Sequence, residues 1–221
     1  MSRPLALDLR VYLVTDQGIA SAAGHTLPTL VQAAVAGGVT TVQVREKDAT
    51  AAAFLTTVIE IAAAVPEGVP VLVNDRVDVY LAARAAGAPV AGVHLGQSDL
   101  PATLVRTLIG EDAILGVSAA TPEQLEEAAA SLARIDYVGI GALHTTTTKR
   151  DAPPALGADG LARLLALSAL PAVAIGGVTA SDFPGIRRSG AAGGAVVSAI
   201  CGAPDPRAAA RELRDAWEAG A

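Results

Sequence analysis

Eight short runs of consecutive apolar, mostly β-branched residues recur along the chain: Val11–Thr15, Thr41–Val44, Val71–Val73, Gly92–Leu95, Ile114–Val117, Tyr137–Ile140, Ala172–Ile175 and Gly194–Val197. Between them stand Ala- and Leu-rich segments whose apolar residues repeat at helical spacing. Ala51–Ala64, Val77–Ala86, Pro122–Leu132 and Gly160–Leu167 are predicted helices, and Pro206–Ala219 is the last. A strand that is apolar at every position is covered on both faces, so strict alternation of such strands with helices predicts a parallel sheet wrapped in helices. Eight units beginning at intervals of roughly 20 to 35 residues predict an α/β fold, a single-domain (β/α)8 TIM barrel over residues 1–221. A doubly wound open sheet is the alternative. It would carry Gly-x-Gly-x-x-Gly after the first strand, where this chain has Thr15-Asp16-Gln17-Gly18. The chain is shorter than the roughly 250 residues usual for such a barrel, so there is little room for insertions. One connection is long: Gly141 to Gly157, rich in Thr and Pro, is a candidate lid.

The uncommon polar residues fall where the predicted strands end. Gln43, Arg45 and Lys47 follow the second strand, Asn74-Asp75 the third, Gln97-Ser98-Asp99 the fourth and Ser118 the fifth. The sixth runs into Thr145–Thr148 and Lys149, the seventh ends in Gly176-Gly177, and the eighth in Ser198. Singly, each has a plain structural explanation: Asn74-Asp75 and Asp99 can cap the following helices, and the glycines can make a tight turn. Together they crowd one rim of the barrel, the rim that carries chemistry in this architecture.

Composition narrows what that rim can meet. A net charge of −6 offers no basic field for nucleic acid or an anionic membrane, so a phosphorylated ligand must be held by a local site. The longest uncharged stretch, Leu164 to Ser181, contains Pro171 and Gly176-Gly177 and reads as helix end, turn and strand, not as a membrane span. The first ten residues carry three charges and do not resemble a signal peptide. A single cysteine, Cys201, excludes an internal disulfide and fits a reducing, cytoplasmic compartment; its apolar neighbours suit a buried side chain. Among the 16 basic residues only Lys47 and Lys149 are lysine, and Asn74 is the only asparagine. A compact ammonium at those two places suits a tight phosphate pocket that a broad guanidinium would overfill.

Three chemistries follow. Gly176-Gly177 and Ser198 occupy the place where barrels bind a phosphate through backbone N–H groups. Asp75 and Asp99 are carboxylates on adjacent strand ends, suited to a Mg²⁺ that shares its shell with substrate phosphate oxygens. Arg45, Lys47 and Lys149 supply positive charge for a second, larger anion, such as a diphosphate bridged to the metal. One small-molecule substrate with a single phosphate and another whose diphosphate departs account for the set.

These residues resemble the thiamine phosphate synthase family over nearly the whole chain. The resemblance rests on Tyr12-Leu13-Val14-Thr15-Asp16, the Gln-Val-Arg-Glu-Lys run at 43–47, Asn74–Asp78, Gly92–Asp99, Gly116-Val117-Ser118 and Tyr137–Gly141. It continues in Thr146-x-Thr148-Lys149, Ala174–Val178 and Val196–Ile200. It implies an enzyme that joins hydroxymethylpyrimidine diphosphate to thiazole phosphate, releasing diphosphate and forming thiamine phosphate. By that resemblance Gln43, Arg45, Lys47, Asn74, Ser118 and Lys149 contact the pyrimidine substrate, and Asp75 and Asp99 bind Mg²⁺. Thr146, Thr148, Gly176, Gly177, Val197 and Ser198 form the thiazole phosphate site. Arg45, Lys47, Ser118 and Lys149 are the catalytic candidates. It further implies that the diphosphate leaves before the thiazole nitrogen attacks, so no activated nucleophile is needed.

The chain departs from the family pattern at Gly141-Ala142-Leu143-His144-Thr145, where Gly-Pro and two apolar residues are usual, and Ala88–Ala91 lengthens the link into the fourth strand at the opposite rim. His144 reads as a loop histidine, solvent-facing or lining the pocket, and His94 as packed on its strand. Two other readings compete: a thiazole tautomerase, which shares the barrel and monophosphate site but needs no metal-diphosphate site, and a non-catalytic barrel that binds thiamine precursors. A homo-oligomer is left open.

Overall fold

The structure, a computed structural model, describes residues 7–146 and 154–220. Eight parallel strands close into a barrel in chain order. They are β1 (Val11–Val14), β2 (Thr41–Val44), β3 (Val71–Asn74), β4 (Gly92–Leu95), β5 (Ile114–Ser118), β6 (Tyr137–Gly141), β7 (Ala172–Ile175) and β8 (Gly193–Val196). The register that closes it pairs Leu13 with Val42 on one side of β1 and with Val196 on the other.

Helices cover the outside: α1 (Gln17–Ala22), α2 (Leu27–Gly37), α3 (Ala51–Ala64), α4 (Val77–Ala85), α5 (Ala102–Ile109), α6 (Pro122–Ala130), α7 (Gly157–Leu167), α8 (Phe183–Arg188), the single turn α9 (Ser198–Cys201) and α10 (Pro206–Ala219). Their starts are written locally. Thr121 accepts from the Gln124 N–H with Pro122 just inside α6, and Asp205 accepts from Ala208 N–H with Pro206 just inside α10. The strands sit where the apolar runs predict, with ends moved by a residue. β3, β5 and β6 each run one residue further, and β8 is shifted one residue toward the amino terminus. Helix α7 begins at Gly157 instead of Gly160, and α6 stops at Ala130.

Alternate strand residues divide the core in two. Val11, Leu13, Val42, Val44, Val71, Val73 and Val93 point outward into the layer shared with the helices, where Phe54, Ile61, Tyr80 and Phe183 pack. Tyr12, Val14, Leu72, Ile114, Tyr137, Val173 and Ala195 fill the inside of the barrel. Gly116 makes room there: a Cβ on it would lie 2.2 Å from the Tyr137 ring.

The amino-terminal rim is closed by a buried arginine. Arg106 of α5, 5% exposed, donates to the carbonyls of Ala133 at 2.7 Å, Gly110 at 2.9 Å, Ala113 at 2.6 Å and Arg134 at 2.9 Å, and to the Asp136 carboxylate at 3.1 Å. A charge can be buried here because every direction of its planar fork meets an oxygen. Cys201 is buried, and burial pushes its thiol up to about 12. Among the described residues no helix is long and apolar enough to cross a membrane.

Candidate active site

A cavity of about 460 Å³ opens at the carboxyl ends of the strands. Its walls bring together Gln43, Arg45, Lys47, Asn74, Asp75, Asp99, Ser118, Thr146, Gly176, Gly177, Val197 and Ser198, residues spread over more than 150 positions of the chain. Thr148 and Lys149 lie outside the described residues. A smaller cavity of about 260 Å³ at the opposite rim, lined by Asp8, Arg10, Arg214 and Trp217 among others, contains none of these residues.

The charged wall is built from β2, β3 and β4. Arg45 and Lys47 leave β2 on alternate positions, and each meets an acid: Arg45 Nη1 lies 3.8 Å from Asp16 Oδ2, and Lys47 Nζ lies 3.2 Å from Asp75 Oδ2. Arg45 N–H also donates to Thr15 Oγ1 at 3.0 Å, which fixes where its side chain departs. Asp75 stands in the left-handed region at φ 61°, a conformation that Asp tolerates better than most residues. Neither rim aspartate is a helix cap. The residues at the starts of α4 and α5 are Arg76 and Pro101, and neither makes a side-chain cap bond. Asp99 instead accepts from the Gly96 N–H at 2.6 Å, which folds the loop after β4 back upon itself.

The two carboxylates share one neighbourhood. Burial raises the Asp99 carboxyl, and the adjacent Asp75 raises it further. Burial pushes Asp75 the same way, but its neighbours Asp99, Lys47 and Asn74 bring it below its ordinary value. Paired acids of this kind hold more negative charge than one ammonium balances, and that excess is what a divalent cation relieves. Among the described residues no group of three or more His, Cys, Asp or Glu could hold a metal by itself, so a cation at Asp75 and Asp99 would draw its other oxygens from a ligand.

Across the cavity the polar groups are backbone. Gly176 and Gly177 take φ 95° and 67°, and a Cβ at Gly176 would meet Ala142 at 2.5 Å, so both the turn and its packing require glycine. Among the described residues no protein acceptor takes the N–H of Gly177 or of Ser198, which leaves these donors to a ligand. The segment after β6 packs on this turn: Leu143 N–H donates to Ile175 O at 2.8 Å and His144 N–H to Gly176 O at 2.9 Å. His144 does not line the cavity. Its ring meets Asp182 Oδ1 at 2.9 Å, and Asp182 in turn accepts from the Thr179 N–H at 2.9 Å, so His144 ties the loop to the approach of α8. Burial raises the Asp182 carboxyl, but His144 and Thr179 hold it below its ordinary value. The central part of the candidate lid, residues 147–153, lies outside the described residues.

The floor holds what the strand pattern conceals. Gln43 Nε2 donates to Tyr12 Oη at 2.7 Å, Tyr12 Oη meets Tyr137 Oη at 2.7 Å, Tyr137 Oη meets His94 Nδ1 at 2.9 Å, and His94 Nε2 meets Ser118 Oγ at 3.1 Å. His94 is packed on its strand, as the sequence suggests, yet it also lines the cavity and touches a candidate substrate residue. The signal was present in the sequence as Tyr12, His94 and Tyr137, polar-tipped residues inside otherwise apolar strands.

The family model described as thiamine monophosphate synthase matches residues 11–200. A thiamine-phosphate synthase of Vibrio campbellii is 48% identical, the match covering 92% of this chain and 96% of that protein. Another from Corynebacterium efficiens is 45% identical, covering 93% of this chain and 94% of that one. Among solved structures, thiamine phosphate pyrophosphorylase from Pyrococcus furiosus superposes with a TM-score of 0.83 at 31% identity, covering 96% of this chain and 97% of that one.

Proposed function

The chain belongs to the thiamine monophosphate synthase family and is a transferase, and from that premise we propose that it condenses 4-amino-2-methyl-5-hydroxymethylpyrimidine diphosphate with 4-methyl-5-(2-phosphoethyl)thiazole, giving thiamine phosphate and diphosphate. One observation carries the reading. A single cavity presents two anion sites of different construction, a side-chain site at Arg45, Lys47, Asp75 and Asp99 and a backbone site at Gly177 and Ser198. An enzyme that joins a diphosphate ester to a monophosphate needs both, facing one another.

In this reading Arg45 and Lys47 bind the diphosphate and balance the charge it gains as it departs, with Asp16 orienting Arg45. Asp75 and Asp99 hold Mg²⁺, which supplies Lewis-acid stabilisation of the leaving diphosphate when bound. Asn74 belongs beside them, since it helps hold the Asp75 carboxyl low and lines the same wall. Gln43 and Ser118 grip the pyrimidine. Gly176, Gly177, Val197 and Ser198, with Thr146, receive the thiazole phosphate and aim its ring nitrogen at the carbon that loses diphosphate. Thr148 and Lys149 complete the two anion sites by family resemblance alone. The bond to diphosphate breaks and the carbon–nitrogen bond forms without a proton transfer, so the protein's task is positioning and exclusion of water. Apolar walls from Val14, Ala119, Val173, Ile175 and Ala195 suit that task.

The test is a coupling assay with both substrates, with Mg²⁺ and with EDTA, read as thiamine phosphate formed. Product in Mg²⁺ that disappears in EDTA supports the reading. Isomerisation of a thiazole carboxylate phosphate with no coupling would replace it by the tautomerase reading, and binding of both ligands without turnover by a non-catalytic one.

A further inference from the structure

The buried chain from Gln43 through Tyr12, Tyr137 and His94 to Ser118 joins the two residues proposed to grip the pyrimidine, and it runs through the barrel interior from β2 to β5. Its members are scarcely exposed: Tyr12 1%, Tyr137 0%, Gln43 4% and His94 9%. Burial raises both phenols, so each keeps its one proton at neutral pH. The order of those protons is then a matter of counting. Gln43 Nε2 donates to Tyr12, so the proton of Tyr12 has Tyr137 as its acceptor. That of Tyr137 goes to His94 Nδ1. The imidazole proton therefore sits on Nε2 and is donated to Ser118 Oγ.

We infer that this chain is a proton-ordered relay that fixes the hydrogen-bonding face shown to the substrate, with Tyr12, Tyr137 and His94 as positioning residues for selectivity toward an aminopyrimidine. In the order the geometry dictates, Ser118 has its hydroxyl proton left to donate into the cavity, and Gln43 has Oε1 left to accept. A 4-aminopyrimidine offers the complement, a ring nitrogen that accepts and an amino group that donates. The 4-oxo analogue, with a ring N–H and a carbonyl, offers the reverse. To meet it the protein must turn the Gln43 amide and invert all the links between Gln43 and Ser118 together, because one reversed link leaves two donors or two lone pairs facing each other in the interior. The relay thus makes the two ends of the site a single unit. The inference rests on the proposed coupling reaction for its substrate but not for its proton order.

The experiment has two arms. In the first, coupling is measured with the amino and the 4-oxo pyrimidine diphosphates for the wild type, Tyr12→Phe and Tyr137→Phe. Each substitution keeps the ring and removes the two hydrogen bonds that its hydroxyl makes in the chain. The wild type should prefer the amino substrate by about 10⁴-fold in kcat/KM, the range of a site built to hydrogen-bond its substrate, and each variant should lose at least about 10-fold of that preference. KM for the amino pyrimidine should rise while KM for thiazole phosphate stays unchanged. A role confined to packing would lower both substrates alike and leave the preference intact, and that outcome overturns the inference. In the second arm, ¹⁵N NMR of the free protein at pH 7 should show His94 with its proton on Nε2, assigned by loss of the signal in His94→Gln. An Nδ1–H tautomer or an imidazolium overturns the proton order. If the wild type makes no thiamine phosphate, the coupling reading fails while the second arm still decides the relay.

Discussion

Adding one methyl group at Gly116 should damage both the barrel interior and the site above it. The Cβ of Gly116→Ala would stand 2.2 Å from Cε1 and Cζ of Tyr137 and 2.5 Å from its hydroxyl. Carbon atoms rest about 3.5–4.0 Å apart, so the ring must retreat by about 1.5 Å. Tyr137 is wholly buried and its hydroxyl is held at 2.7 Å by Tyr12 and at 2.9 Å by His94, so a shift of that size breaks both contacts. Overpacking costs about 1–3 kcal/mol, and two buried hydrogen bonds about 1 kcal/mol each, for a total of about 3–5 kcal/mol. In a chain of this length that lowers Tm by about 6–20 °C. The control is Gly139→Ala on the neighbouring strand, whose Cβ would meet only His94 among the described residues, at 3.4 Å, an ordinary contact. Thermal melts by circular dichroism should therefore separate two chemically identical substitutions, and the near-UV tyrosine signal should change in Gly116→Ala alone. A Gly116→Ala protein melting within about 2 °C of wild type, less than 1 kcal/mol on the same scale, would show that the interior yields more freely than its packing implies.

Asp99→Asn should cut coupling at least about 100-fold by removing one carboxylate from the proposed metal site, and should abolish the rise in Tm that Mg²⁺ with inorganic diphosphate gives the wild type; a variant retaining that rise refutes the ligand assignment. Ser198→Asp places a negative charge beside the free N–H groups of the backbone anion site, and calorimetry should find thiazole phosphate binding weakened about 10-fold or more with pyrimidine diphosphate binding unchanged; equal losses would mean the two anion sites are misplaced. Arg106→Met removes the hydrogen bonds that fill the buried fork and should cost about 3–5 kcal/mol, seen as a lowered Tm with KM for both substrates unaltered in the folded protein. Cys201, its thiol pushed up to about 12 by burial, should react with disulfide reagents at pH 8 only after unfolding; rapid labelling of the native protein would contradict its packing.

Much of this protein is legible along the chain because much of it is decided locally. An apolar β-branched run makes a strand buried on both faces, Thr121-Pro122 and Asp205-Pro206 start helices wherever they stand, and strict alternation of the two closes a parallel barrel. Once the strands are known, Arg45, Asp75, Asp99, Ser118 and Ser198 fall at one rim by position alone. Asp75 and Asp99 could still be read as helix caps, and only the placement of Arg76 and Pro101 at the helix starts shows that they are not. Of the relay beneath the rim the sequence shows only its members, Tyr12, His94 and Tyr137 as polar-tipped residues in apolar strands, and not their connections. An apolar strand gives no sign of which of its faces turns into the barrel, and Tyr12 meets Tyr137 across 125 residues because of the stagger at which eight strands close. Closure is a property of the whole sheet. It fixes which inward side chains share a layer, and so which of them exchange hydrogen bonds, after every local preference has already been satisfied.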